Sequence, residues 1–255
     1  MSSFFVGPPD KQIFSTLSEP RQQLNCNKLV VLCYPFGQEY MRAHRCYRQL
    51  ANLLARSGLT TLRFDYPSAG DSYGDSPLEN VSDLIVDIDR VVQFVQERTQ
   101  IREVYVVGLR FGALIAAKVA EHMAAVTSLF LWDAYACGSD FVADCKNQLS
   151  EKKDSSQALG SNDTWLVHGF PLAPAFRAAI EAVDIRECRF DSAMKIFHTL
   201  SHENSSSLAL QQCFGQRMAQ QVVPSNGDWN YIDMQGSILM PTVLINALSK
   251  TIATA

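Results

Sequence analysis

The sequence predicts an α/β fold, a mostly parallel sheet with helices on both faces. Three observations carry that expectation. Short apolar runs alternate with longer segments of helical spacing as far as Trp132. The run at residues 29–33 is apolar throughout, without the alternation of a half-buried strand, as in strands covered on both faces. The run at 104–107 passes through GLRFG at 108–112 into ALIAA, which reads as strand, glycine-flanked turn and helix.

The elements follow in order. Residues 3–17 predict two short strands around a turn at Gly7, Pro8 and Pro9, and 29–33 predict the first fully buried strand. Residues 39–57 have helical spacing through Tyr47, Leu50, Leu53 and Leu54, and stop at Gly58. A strand is expected at 59–64, then a helix over 78–98 with Leu84, Ile88, Val91, Val92 and Val95 on one face. Strand 104–107, helix 111–124 and strand 127–132 complete this part. Beyond it, residues 138–170 are rich in Ser, Asp, Lys, Asn and Gln, and helical spacing returns at 173–185. The sheet is expected to resume at 193–200, and 241–250 predict a closing helix with Pro241 in its first turn. The division expected is one fold in three stretches: core 1–136, inserted cap 137–190 and core 191–255.

Composition narrows the function. The 255 residues are 47% hydrophobic, enough for one sizeable core. Net charge is −4 with no basic block of the kind that neutralises phosphates, so nucleic acid is not an expected partner. Seven cysteines stand apart, with no C-x-x-C pair or close His/Cys cluster, so neither a metal site nor a cofactor is expected. Their odd number suits reduced thiols in a cytoplasmic protein. The first residues show no basic region followed by a long apolar stretch, so no signal peptide is expected. No apolar run approaches the roughly 20 residues of a membrane span.

GLRFG has the build of the nucleophile elbow G-x-S-x-G, with Arg110 where serine belongs. Glycines let a strand turn sharply into a helix and push the central side chain out over the helix N-terminus. A guanidinium stays protonated and cannot attack a carbonyl. Two other turns stand at the ends of preceding strands, where open α/β sheets place their sites. They are YPFGQE at 34–39 and DYPSAGDS at 65–72, the latter running on to Gly74 and Asp75.

RFDYPSAGDSYGD resembles the D-x-x-G-x-G-x-S segment of α/β-hydrolases of the serine aminopeptidase (S33) type. PFGQEYMRAHRCYRQLANLLARSGLTTLRFDY, GLRFGALIAA and GFPLAPAFRAAIEAVDI are similar, more narrowly, to exosortase A system-associated hydrolases. The likeness covers about residues 28–190. It implies an α/β-hydrolase fold and, by default, hydrolysis of an ester, thioester or amide. It also implies oxyanion donors at Phe36, Gly37 and Phe111. The nucleophile position is Arg110, and the acid expected after the strand that follows the cap is Glu203. The histidine expected at about 224–240 is absent, because the last histidine in the chain is His202. Serine–histidine hydrolysis of the usual kind is therefore not supported.

Other candidate catalytic groups are Ser72, Cys137 and His168, each with a structural alternative. Ser72 sits where serines commonly hold a turn. Cys137 follows a strand end, and His168 is placed to hang from the cap or simply to pack. Cys33 reads as an apolar filler, and Cys46 does not face His44 two residues away on a helix. Arg110 needs a negative partner, because a helix N-terminus is already positive. Glu39 in the facing loop is the first choice, and an anionic ligand group is the other. In the cap, Phe170, Leu172 and Phe176 are expected to roof the strand ends. Two functions stay open. One is action on, or binding of, a small or carrier-bound carbonyl compound without the Ser–His pair. The other is a pseudoenzyme that binds a ligand or partner within a biosynthetic or exopolysaccharide system, as part of a homo- or hetero-oligomer.

Overall fold

The protein is described from a computed structural model, which places residues 1–21, 26–75, 77–150, 163–225, 229 and 240–255. In chain order, β1 (Ser2–Val6), β2 (Ile13–Ser18) and β3 (Lys28–Cys33) lead to α1 (Gln38–Arg56) and β4 (Thr60–Phe64). Next come α2 (Val81–Thr99), β5 (Glu103–Leu109), α3 (Phe111–His122) and β6 (Val126–Trp132). Helix α4 (Gly138–Ser150), the hairpin β7 (Trp165–Val167) and β8 (Phe170–Leu172), and α5 (Pro174–Glu181) follow. The chain closes with β9 (Lys195–Leu200), α6 (Ser205–Phe214), β10 (Met218–Val222) and α7 (Thr242–Thr254).

Eight of the described strands form one sheet, ordered β1-β2-β4-β3-β5-β6-β9-β10. Pairing is parallel from β4 to β10, and β2 runs antiparallel to both its neighbours. The carboxyl ends of β3, β4, β5, β6 and β9 therefore share one edge. The crossover from β3 to β4 moves one way along the sheet, and those from β4 to β5 and β5 to β6 move the other. Right-handed crossovers put α1 on one face and α2 with α3 on the opposite face. Helix α7 packs against α1. The central strands are buried on both sides, which is why β3 and β5 carry Val and Leu where alternation would be expected.

Boundaries follow local chemistry. Helix α2 begins at Val81 because the Asn80 side chain accepts the Asp83 N–H at 2.7 Å, and it ends at Gln100 in the left-handed region. Pro241 stands just before α7, one position outside the first turn expected for it. Five elements were not expected, the strands of the β7–β8 hairpin among them. Helix α4 lies in the polar stretch, and its buried side is Phe141, Val142 and Cys145, an apolar stripe hidden by the surrounding polar residues. Helix α6 opens on a capping box, with Asn204 accepting the Ser207 N–H and Ser207 accepting the Asn204 N–H. Strand β10 extends the sheet past β9. No described helix is long and apolar enough to cross a membrane.

One buried titratable side chain lies in this outer part of the sheet. His198, on β9, is 1% exposed. Its Nδ1 is 3.3 Å from Gln220 Oε1 on β10, and its Nε2 has no hydrogen-bond partner among the described residues. Burial lowers its pKa to about 4, against the opposing pull of Gln220 and Asp133.

Candidate functional site

The turn between β5 and α3 is the elbow the sequence predicts. Arg110 adopts φ 52° and ψ −115°, a conformation that strains any residue with a Cβ. Its N–H donates to the Trp132 carbonyl at 2.9 Å. The flanking glycines are set by packing. A Cβ on Gly108 would lie 2.2 Å from the Gly112 carbonyl oxygen, and one on Gly112 would lie 2.1 Å from that of Cys33. Strand β5, strand β3 and helix α3 meet here too closely for any side chain.

The Arg110 side chain is held from two sides. Its Nε donates to Glu39 Oε1 at 2.7 Å, from the first turn of α1. Its Nη2 donates to Asp144 Oδ2 at 2.8 Å on α4, and also to the Tyr135 hydroxyl. Tyr135 in turn donates to Asp144 at 2.5 Å, and Gln148 Nε2 adds a contact of 3.3 Å to the same carboxylate. Side-chain exposure is 19% for Arg110, 9% for Glu39 and 35% for Asp144. Burial lowers the guanidinium pKa, but Glu39, then Tyr135 and Asp144, outweigh it, so the pKa rises. Arg110 stays charged, and its two carboxylates leave the cluster with a net negative charge. Glu39 is the partner the sequence suggests; Asp144 and Tyr135 were missed, because α4 was not read as a helix.

Among the described residues a small cavity of about 20 Å³ lies above this cluster, lined by Glu39, Tyr135, Phe141, Cys145, Gln148 and His168 among others. His168, at φ 50° in the turn between β7 and β8, thus reaches the cluster from that hairpin. The aromatic floor is closed as well. Phe36 packs on Phe111, Phe141 and Phe176 with centroids 5.8, 5.9 and 6.5 Å apart. Gly37 precedes α1 at φ 62°, a conformation that favours glycine, and Phe170 packs beside it. Leu172 and Phe176 are fully buried and Phe170 partly so, as expected of residues roofing the strand ends.

The remaining candidates are dispersed. Ser72 accepts the Phe14 N–H at 2.9 Å and donates to the Asp65 carbonyl at 2.7 Å, so it ties the loop after β4 to β2. Asp65 organises the same loop by accepting from Tyr40 at 2.6 Å and from the Asp71 N–H at 3.0 Å. Cys137 is half-buried, with Sγ 3.0 Å from Ser139 Oγ. Glu203 is exposed beyond the end of β9. Cys33 and Cys46 are buried, whereas His44 is exposed, consistent with the helical spacing.

A different carboxylate occupies the sheet edge. Asp133, immediately after β6 at φ 43°, accepts from the Ser201 N–H and hydroxyl at 2.7 and 2.8 Å. It also accepts from the Trp229 indole N–H at 3.3 Å. Trp229 packs edge-on against Trp132, and its carbonyl accepts from Arg42 at 2.7 Å. It comes from the stretch in which the resemblance expects a histidine, most of which lies outside the described residues.

Next to the elbow a larger cavity of about 340 Å³ opens over the ends of β3 and β4. Phe36, Tyr40, Met41, Tyr66, Leu78 and Phe170 are among the side chains that line it. Arg110 does not line it.

The family model for serine aminopeptidase, S33, matches residues 28–136. No curated protein matches the sequence. Among solved structures, Est1E from Butyrivibrio proteoclasticus is similar at 12% identity with a TM-score of 0.68, over 100% of this chain and 98% of that one. Proline iminopeptidase from Mycobacterium smegmatis is similar at 13% identity and TM-score 0.61, over 100% of both chains. A serine hydrolase homologue from Coxiella burnetii is similar at 14% and 0.59, over 98% and 96%. At such identities the likeness is one of fold. Together with the parallel sheet, the crossovers and the elbow, these matches show that the chain has the α/β-hydrolase fold.

Proposed function

We propose that this chain is a non-catalytic member of its fold, a binding protein in which the hydrolytic centre has become a structural lock. The observation that carries the reading is Arg110, held in the strained elbow by Glu39 and Asp144 where a nucleophile would stand. Three facts support it. Among the described residues the cavity above the elbow is small, about 20 Å³. The described side chains that meet Asp133 are the Ser201 hydroxyl and the Trp229 indole, neither of which is a general base. Ser72 is engaged at both its donor and its acceptor roles within the fold. The segment between β6 and β9 acts as a cap, closing the elbow with α4 and roofing the neighbouring cavity with β8. The likeness to exosortase A system-associated hydrolases suggests a biosynthetic or exopolysaccharide setting, where the protein serves as a cytoplasmic ligand-binding or partner-binding subunit.

Fluorophosphonate serine probes are expected to leave the protein unlabelled, and a broad ester and thioester screen to show no turnover. Arg110→Ser is expected to stay inactive, since none of the described side chains bonded to Arg110 is a histidine. Stoichiometric labelling of any serine, checked by intact mass, would overturn the reading. So would ester turnover by the wild type that survives repurification.

A further inference from the structure

We infer that the cavity over the ends of β3 and β4 binds a small neutral molecule with a ring or short apolar body, independently of the elbow. The inference deepens the binding reading above and rests on it. Its volume, about 340 Å³, lies at the lower end for small-molecule sites, which admits one substituted ring or a short acyl chain. The charge of the lining selects neutral ligands. Among the described residues no Lys, Arg or His lines the cavity, and the one carboxylate there, Asp75, is exposed. An anion would find no counter-charge there and would meet a carboxylate instead. Arg110, at the neighbouring elbow, is already committed to two carboxylates.

The lining is also built to offer ring faces rather than hydrogen bonds. The Tyr40 hydroxyl donates to Asp65 at 2.6 Å and that of Tyr66 donates to the Tyr34 carbonyl at 3.1 Å. Both polar ends point into the protein's own network. Phe170 reaches over from β8 to line the cavity. Met41 is 63% exposed at the mouth, an apolar and adaptable side chain left in water unless something covers it. The Gly70 backbone passes so near Asp65 and Tyr40 that a Cβ there would lie 2.2 Å from Asp65 Oδ2, so the wall is fixed by the same carboxylate that anchors Tyr40.

The test uses the full chain with methyl phenylacetate as the neutral probe and phenylacetate as its anion, read by isothermal titration at pH 7.5. The ester is expected to bind saturably with a dissociation constant in the micromolar to low millimolar range, and the anion at least about tenfold more weakly. Phe170→Ala, on a partly exposed hairpin, is expected to weaken ester binding about tenfold or more. Met41→Asp, at an exposed helix position that leaves folding intact, is expected to weaken it as well. Circular dichroism confirms that each variant is folded. Failure of the wild type to bind the ester, equal affinity for the anion, or binding unchanged in both variants would each overturn the inference. Release of methanol during the titration would instead overturn the non-catalytic reading, and the pattern across the variants would still decide where the ester sits.

Discussion

Arg110→Ala lowers the stability of this protein by about 3 kcal/mol, the low end for removing one partner of a buried ion pair. For a chain of this size that is a fall in melting temperature of roughly 6–12 °C. The loss arises at Glu39, whose side chain is 9% exposed and would lose the guanidinium bonded to it at 2.7 Å. Asp144, at 35% exposure, is solvated enough to contribute little, so Asp144→Asn costs under about 1 kcal/mol. Alanine is the informative replacement because it shares the positive-φ strain of arginine and so isolates the side chain. Arg110→Gly removes the same ion pair but also relieves the strain at φ 52°, and is expected to melt above Arg110→Ala. A double variant, Arg110→Ala with Glu39→Gln, should recover part of the loss, because the stranded carboxylate is gone. Melts in which Arg110→Ala matches or exceeds the wild type would mean that the arginine only fills a disused elbow.

The sequence revealed the frame of this site better than its contents. Apolar runs marked β3 and β5 within a residue or two, because these strands are buried on both faces, and β4 and β6 were placed by their alternation with helices. GLRFG located the elbow, because only glycine fits where Gly112 meets the Cys33 carbonyl. Glu39 was legible because it stands in the loop facing the elbow. Asp144 and Tyr135 were not, since their role depends on how α4 packs back over the sheet, which no local spacing encodes. Asp133 was hidden for a similar reason: its partners Ser201 and Trp229 are far away in sequence. Glu203 was preferred by analogy of position, yet the turn after β9 leaves it exposed. The unexpected β10 carries Ala, Gln and Gln in its middle, a polar pattern suited to a sheet edge and unlike the apolar runs that revealed the core.

The outer sheet carries the second large effect, a loss of stability in mild acid through His198. In the unfolded chain this histidine titrates near its ordinary value of about 6.5, and in the fold near 4. Between those values the unfolded state holds a proton that the folded state does not. The stabilisation is therefore complete above about pH 6.5 and is lost as pH falls towards 4, at which point about 3 kcal/mol is gone. The structural cause is plain. Nδ1 has Gln220, but Nε2 is buried without a partner among the described residues, so a second N–H would bring charge into a place where none of them receives it. Asp133 lowers that cost without cancelling it. The measurement is urea unfolding of wild type and His198→Gln at half-unit steps from pH 7.5 to 4.5. Carboxylates titrate in both proteins, so the difference between the two curves isolates the histidine. That difference should shift in favour of His198→Gln as pH falls below 6.5, because the amide takes up no proton. Curves that stay parallel down to pH 4.5 would show that His198 accepts a proton inside the fold as readily as outside it, and that its pocket is wetter than its 1% exposure implies.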